Sequence, residues 1–142
     1  MIFTMDSNPV SNPRILVVLE DDSLFAILSY KLERQGFQVS RASDGIEALE
    51  RMERQRFDLL LIDILIQKLD GFQVMREIQQ REQVQDPGAM VVISAREDED
   101  DILSAFRLGC VDYVTIPFSI NVLIARLYNA LKHVQRSPVR SG

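Results

Sequence analysis

The sequence predicts an α/β protein: a parallel sheet with helices covering both faces. Three features lead there. Short, continuous apolar runs such as Asp58-Leu-Leu-Leu-Ile-Asp63 and Ala89-Met-Val-Val-Ile-Ser94 read as strands buried on both faces. The stretches between such runs carry apolar residues at helical spacing, and a glycine, a proline or a capping residue separates one kind from the other. Strand and helix alternate through five repeats, the order expected of a parallel sheet built from βα units.

Taken in order, Arg14-Ile-Leu-Val-Val-Leu19 is the first strand. Ser23 is the expected N-cap of a helix whose apolar positions Leu24, Ile27, Leu28 and Leu32 share a face, and Gly36 stops it. Phe37-Gln-Val-Ser40 is a short second strand, and Asp44 caps a second helix bearing Ile46, Leu49 and Met52. The third strand, Asp58–Asp63, leads to Asp70-Gly71, read as a turn whose glycine takes a positive φ. A helix through Phe72, Val74, Met75 and Ile78 then runs to about Arg81. Asp86-Pro-Gly88 turns the chain into the fourth strand, Ala89–Ser94. Acidic residues from Glu97 to Asp101 open a helix through Ile102, Phe106 and Leu108 that ends at Gly109; acids there complement the helix dipole. Tyr113-Val-Thr115 is the fifth strand. Pro117 breaks the chain, and Ser119 caps a last helix with Val122, Leu123, Ala125, Leu127 and Leu131.

A length of 142 residues suits one domain. Residues 1–13, with Pro9 and Pro13, read as a loose leader, 14–135 as the folded unit, and 136–142, with Pro138, as a flexible tail. At 46% hydrophobic and 26% charged residues, the composition is that of a globular protein able to bury a core. The net charge of -5, with no cluster of lysine and arginine, argues against direct nucleic-acid binding. The single cysteine, Cys110, rules out an internal disulfide and fits a reducing cytoplasm. No apolar run approaches the roughly 20 residues of a membrane helix, and the opening Met1–Met5 is too short for a signal segment. A cytoplasmic location with no membrane partner is therefore expected.

Chemistry is expected at the carboxyl edge of the sheet, where open parallel sheets bind their ligands. Asp63 ends the third strand there, with Glu20, Asp21 and Asp22 after the first, Ser94-Ala95 after the fourth and Ile116-Pro117-Phe118 after the fifth. In this order the segments Leu-Leu-Leu-Ile-Asp63 to Leu69-Asp70-Gly71, Ile93-Ser94-Ala95 and Gly109 to Phe118 resemble the receiver domain of two-component response regulators. The resemblance spans roughly residues 14–135. It implies a flavodoxin-like (βα)5 doubly wound sheet of strand order 2-1-3-4-5, and a protein that is a switch rather than an enzyme. A histidine kinase or phosphotransfer protein would donate a phosphoryl group to Asp63. Mg2+ would be held by Asp63, by an acid after strand one and by the backbone carbonyl of Leu65. Ser94 would supply a hydroxyl, and Tyr113 matches an aromatic that rotates inward on activation. The need for a cation follows from elementary chemistry, because a carboxylate attacks a dianionic phosphoryl group poorly unless a hard cation offsets the charge.

The sequence departs from that pattern in two places. Receiver domains carry a lysine before the final proline; here Val-Thr-Ile-Pro-Phe puts Ile116 in its place, without charge or donor. They also carry two adjacent acids after strand one. Counting back from Gly36 without a gap puts Leu19 and Glu20 there, so one acid has become apolar; a one-residue insertion at Leu19 would instead leave Glu20 and Asp21 as the pair. A glutamate reaches about 1.5 Å further than an aspartate, which octahedral Mg2+ tolerates only with adjustment of backbone or water. The loop after Asp63 starts unusually apolar, Ile64-Leu-Ile66, with Gln67 where such loops often carry proline.

Two functions compete on these residues. One is a phosphate-accepting receiver with an atypical site; the other is a pseudo-receiver, an interaction module of the same fold that works without phosphoryl chemistry. A haloacid-dehalogenase-type phosphatase would need a second aspartate where Leu65 stands, and a flavin phosphate would be repelled by Glu20-Asp-Asp22. The last helix is more apolar than one buried face requires. Ile124 and Tyr128, four apart, are either surplus core or part of a homodimer face formed by helix 4, strand 5 and helix 5. Asp112 and Arg126 match charged positions that some transcription-factor receivers use for that contact.

Overall fold

The computed structural model describes residues 12–135. Its elements alternate as β1 (Arg14–Val18), α1 (Asp22–Arg34), β2 (Gln38–Ala42), α2 (Gly45–Arg54), β3 (Leu59–Asp63), α3 (Gly71–Gln80), β4 (Ala89–Ser94), α4 (Glu99–Arg107), β5 (Asp112–Thr115) and α5 (Ile120–Gln135). All strand pairings are parallel and the order is β2-β1-β3-β4-β5, as expected. The leader as far as residue 11 and the tail from residue 136 lie outside the described residues. Pro13 is already buried, and its carbonyl accepts from the Gln38 amide at 2.8 Å.

Successive residues of a strand point to opposite faces, and the two cores follow that alternation. Leu16, Val18, Leu60, Ile62 and Val92 pack with α2, α3 and Ala105 of α4. Ile15, Val17, Leu59, Leu61, Val91 and Ile93 pack with α1 and α5. Each large side chain removed from water in this way stabilises by about 1.5–3 kcal/mol. The central strands are covered on both faces, which explains why their sequence is continuous rather than alternating.

Several local expectations change. Ser23 is not the cap of α1. Asp21, with extended backbone, holds the cap position, and its Oδ1 accepts from the Leu24 amide at 3.0 Å, so Ser23 falls inside the first turn. Asp70 does more than turn the chain: it caps α3 in a reciprocal capping box with Gln73. Gly71 does not adopt positive φ; the glycines that do are Gly36 and Gly109. Gly71 is required by proximity, since a Cβ there would lie 2.7 Å from Ile64 Cα and 2.9 Å from the Asp63 carbonyl oxygen. Ile27, Ile46 and Phe106 were expected on core faces and are exposed, because the buried stripe of each helix is narrower than its apolar composition. Asp44 and Ser119 cap α2 and α5 as expected.

Candidate functional site

Asp63 is the last residue of β3, the middle strand, and stands opposite Ile93 of β4. Its Oδ1 accepts from the Leu65 amide at 2.9 Å. Burial pushes its carboxyl above the ordinary aspartate range, the Leu65 N–H works against that, and the charge of Glu20 adds to the rise. Among the described residues no ammonium or guanidinium forms an ion pair with it. A half-buried carboxylate thus meets a second carboxylate and no compensating cation.

Leu19 and Glu20 follow β1, the strand on the other side of β3. Leu19 is buried in the core against α1 and α5, and its amide still bonds Ala42, continuing the ladder. Glu20 is exposed, and its Oε2 accepts from the Gln67 amide at 2.7 Å, across to the loop that follows Asp63. The extra carbon of glutamate is used in reaching that loop. Asp21 faces Leu24 as a cap, and Asp22 pairs with Arg41 at 2.8 Å. In the loop itself Ile64 and Ile66 are buried and Leu65 is exposed, so its own fold covers most of the apolar start.

On the β4 side, Ser94 is fully buried and its Oγ accepts from the Arg96 amide at 3.0 Å. The Tyr113 hydroxyl donates to the Arg96 carbonyl at 2.9 Å, and burial pushes its pKa above the usual tyrosine value. Ile116 donates its amide to the Ser94 carbonyl at 2.9 Å, precedes a cis peptide to Pro117, and packs against the α1–α5 core. Ser94, Tyr113 and Ile116 therefore meet around one short loop.

Sequence reasoning missed two basic residues here. Arg41 of β2 donates from Nε and Nη2 to the Leu19 carbonyl at 3.2 and 3.0 Å and from Nη2 to the Glu20 carbonyl at 3.1 Å. Its guanidinium also lies 4.8 Å from the Phe25 ring centroid, so it fixes the backbone of the acidic loop. A charged residue inside a strand was the signal. Arg96 was legible only as the second residue past Ser94; its Nη1 pairs with Asp101 at 3.1 Å.

Ile124 and Tyr128 are 4% and 8% exposed in the chain, which fits the surplus-core alternative of the two open for them. Tyr128 packs its ring against Phe37, centroids 5.3 Å apart and tilted by 59°, and donates its hydroxyl to the Gln35 carbonyl, drawing that side of α5 inward. Arg126 Nη1 contacts both Asp112 oxygens at 3.0 and 2.9 Å, within the chain.

The sequence model of the response regulator receiver domain matches residues 15–128, nearly all of the described chain. The chain belongs to that family. This receiver is 37% identical over 121 residues to the alkaline phosphatase synthesis transcriptional regulatory protein PhoP of Bacillus subtilis, covering 85% of the chain and 49% of that protein. It is 32% identical to the transcriptional regulatory protein AfsQ1 of Streptomyces coelicolor, covering 92% of the chain and 56% of that protein. The receiver thus spans about half the length of these curated relatives. Among solved structures, a Francisella response regulator receiver domain superposes with a TM-score of 0.77 at 28% identity, covering 85% of this chain and 98% of that one. The receiver domain of the sensor histidine kinase PA1611 of Pseudomonas aeruginosa superposes with a TM-score of 0.74 at 27% identity, covering 86% and 99%. That structure has a magnesium ion coordinated in its active-site cleft. Among the described residues of the present receiver, no helix is long and apolar enough to cross a membrane.

Proposed function

We propose that the unit from residue 14 to 135 is a phosphate-accepting receiver, with Asp63 as acceptor. The observation that carries this reading is the Asp63 carboxylate at the end of the central strand, half-buried, facing Glu20 and lacking a cation. A carboxylate oxygen would attack phosphorus on a phosphohistidine of a kinase or phosphotransfer protein. The O–P bond forms, the P–N bond breaks, and the imidazole leaves with the electron pair and takes a proton from solvent.

The donor set fits Mg2+. Each of Asp63 and Glu20 has one oxygen occupied by a loop amide and one without a bond to the described protein groups, and the Leu65 carbonyl completes an all-oxygen set. Among the described residues, no group of three or more His, Cys, Asp or Glu forms a metal cage. A site of one or two carboxylates completed by water and phosphoryl oxygens is what Mg2+ prefers. When bound, the ion supplies the positive charge that lets two anions meet. Asp21 is the weaker candidate ligand, since it caps α1. Ser94 would donate its proton to a phosphoryl oxygen while its Oγ still accepts from the Arg96 N–H.

Incubation with acetyl phosphate or beryllofluoride, with and without Mg2+, tests the reading by intact mass against Asp63→Ala. An adduct that needs both Mg2+ and Asp63 is expected; its absence from the unmodified sequence overturns the proposal. A second reading is the phosphorylation-independent module, for which the Tyr113 hydroxyl tied to the Arg96 carbonyl would hold one conformation of the edge. It predicts no adduct, and partner binding unchanged in Asp63→Ala. In either case we place the output on the α4–β5–α5 surface, where Leu103, Phe106 and Val122 are exposed, as a protein contact in the cytoplasm.

A further inference from the structure

We infer that Arg96 supplies the positive charge that Ile116 cannot, by leaving Asp101 and donating to the phosphoryl oxygens on Asp63. The inference rests on Asp63 being the acceptor and goes beyond it by naming the second cation of the site. Phosphorylation puts a dianion at a position where burial already disfavours a single charge. The fifth strand brings no ammonium there, because Ile116 is turned into the apolar core.

Arg41, Lys68 and Arg96 stand around the carboxyl edge, and their engagements differ. Arg41 is committed: it makes three bonds to the Leu19 and Glu20 carbonyls, an ion pair with Asp22 and a stacking contact with Phe25. Moving it would leave those carbonyls without their partner. Lys68 sits on the α2 side, paired with Asp44 at 3.4 Å. Arg96 lies on the β4 side, and its backbone is anchored on both atoms, N–H to Ser94 Oγ and carbonyl to Tyr113. Ser94 directly follows Ile93, the residue one strand spacing, about 4.8 Å, from Asp63. A long side chain therefore starts from a fixed point beside the hydroxyl that borders the acceptor.

Its present partner engages only part of the guanidinium. The Arg96 side chain is 49% exposed, and a single oxygen of the more covered Asp101, 18% exposed, meets its Nη1. A guanidinium gains more from a phosphoryl dianion, which it can meet with two parallel hydrogen bonds. Exchange of Asp101 for the phosphoryl group would give Arg96 a doubly charged partner and a second hydrogen bond, and it leaves the backbone anchors in place.

The test compares Arg96→Gln, Asp101→Asn and Lys68→Ala with the unmodified chain, reading the rate of Mg2+-dependent adduct formation with acetyl phosphate and the affinity for beryllofluoride. Arg96→Gln should lose about tenfold or more in both, the scale of one charge-assisted hydrogen bond. Asp101→Asn, which frees Arg96, should gain, and Lys68→Ala should change neither. Arg96 Nε–H should also shift in the NMR spectrum when beryllofluoride binds. If Arg96 only ties the β4–α4 loop to α4, Arg96→Gln and Asp101→Asn will move together, and the inference fails. A loss confined to Lys68→Ala overturns it as well. No Asp63-dependent adduct in the unmodified chain overturns the phosphate-accepting reading itself, an outcome distinct from either.

Discussion

At Asp63 the folded chain holds a carboxyl group whose pKa is raised, chiefly by burial. An acid raised in this way binds its proton more tightly folded than unfolded, so stability falls as pH rises from the unfolded aspartate value through the folded one. The penalty is complete above that window, including at neutral pH. Asp63→Asn should therefore raise the urea midpoint at neutral pH, and the gain should shrink on acidification through the aspartate range. An Asp63→Asn protein no more stable at pH 7 than at pH 3.5, relative to the parent, would contradict this. Ile116→Lys addresses the same charge from the fifth strand. An ammonium there should accelerate adduct formation by roughly tenfold, equivalent to about 1.4 kcal/mol in the transition state. Unchanged yield and rate would show that the missing lysine is not what limits the site. Asp63, Ser94 and Ile116 were legible in the sequence because strand ends are fixed by the apolar runs that precede them. The Glu20 bond to the Gln67 amide was not, because it joins loops 47 residues apart through a backbone donor that no side-chain pattern records.

The elements that carry these residues are set by their caps, and here sequence reasoning met its limits in an instructive way. Asp44 and Ser119 were readable as caps because an apolar helical pattern begins just after each. At α1 the acids Asp21 and Asp22 precede Ser23, and three residues suited to capping compete. The extended backbone at Asp21 decides among them, since its carboxylate then reaches the Leu24 amide. That choice also separates Glu20, which faces the pocket, from Asp21, which serves the helix. For α3, Asp70→Ala should lose about 1 kcal/mol of stability in urea unfolding, the usual worth of a cap. Gly71→Ala should lose more, because the new methyl would press on Ile64 and on the carbonyl of Asp63, and it should slow adduct formation too. A Gly71→Ala protein that is benign in both would show that the close approach does not constrain this position.

For the molecule as a whole, the two apolar faces of the strands explain why the fold was readable before any coordinates. Runs buried on both sides leave little alternative to a covered parallel sheet. What stayed hidden was which surface residues the helices would leave uncovered. Ile27, Ile46 and Phe106 are apolar enough for the core, and only the packing of each helix on the sheet turned them outward. Tyr128 went the other way, because Phe37 and the Gln35 carbonyl offered a packing partner and an acceptor for its hydroxyl.

The strand order has a further consequence for motion. β3 is paired on both sides, whereas β5 is an edge strand with four residues and one neighbour. Native-state amide exchange should therefore divide the site. Leu60, Leu61 and Ile62 should exchange only by global unfolding, while the amides of β5 should exchange through cheaper local openings. The acceptor would then ride on the slowest-opening part of the chain and Tyr113 on one of the fastest. Such a division lets the edge rearrange many times while the strand that carries Asp63 stays closed.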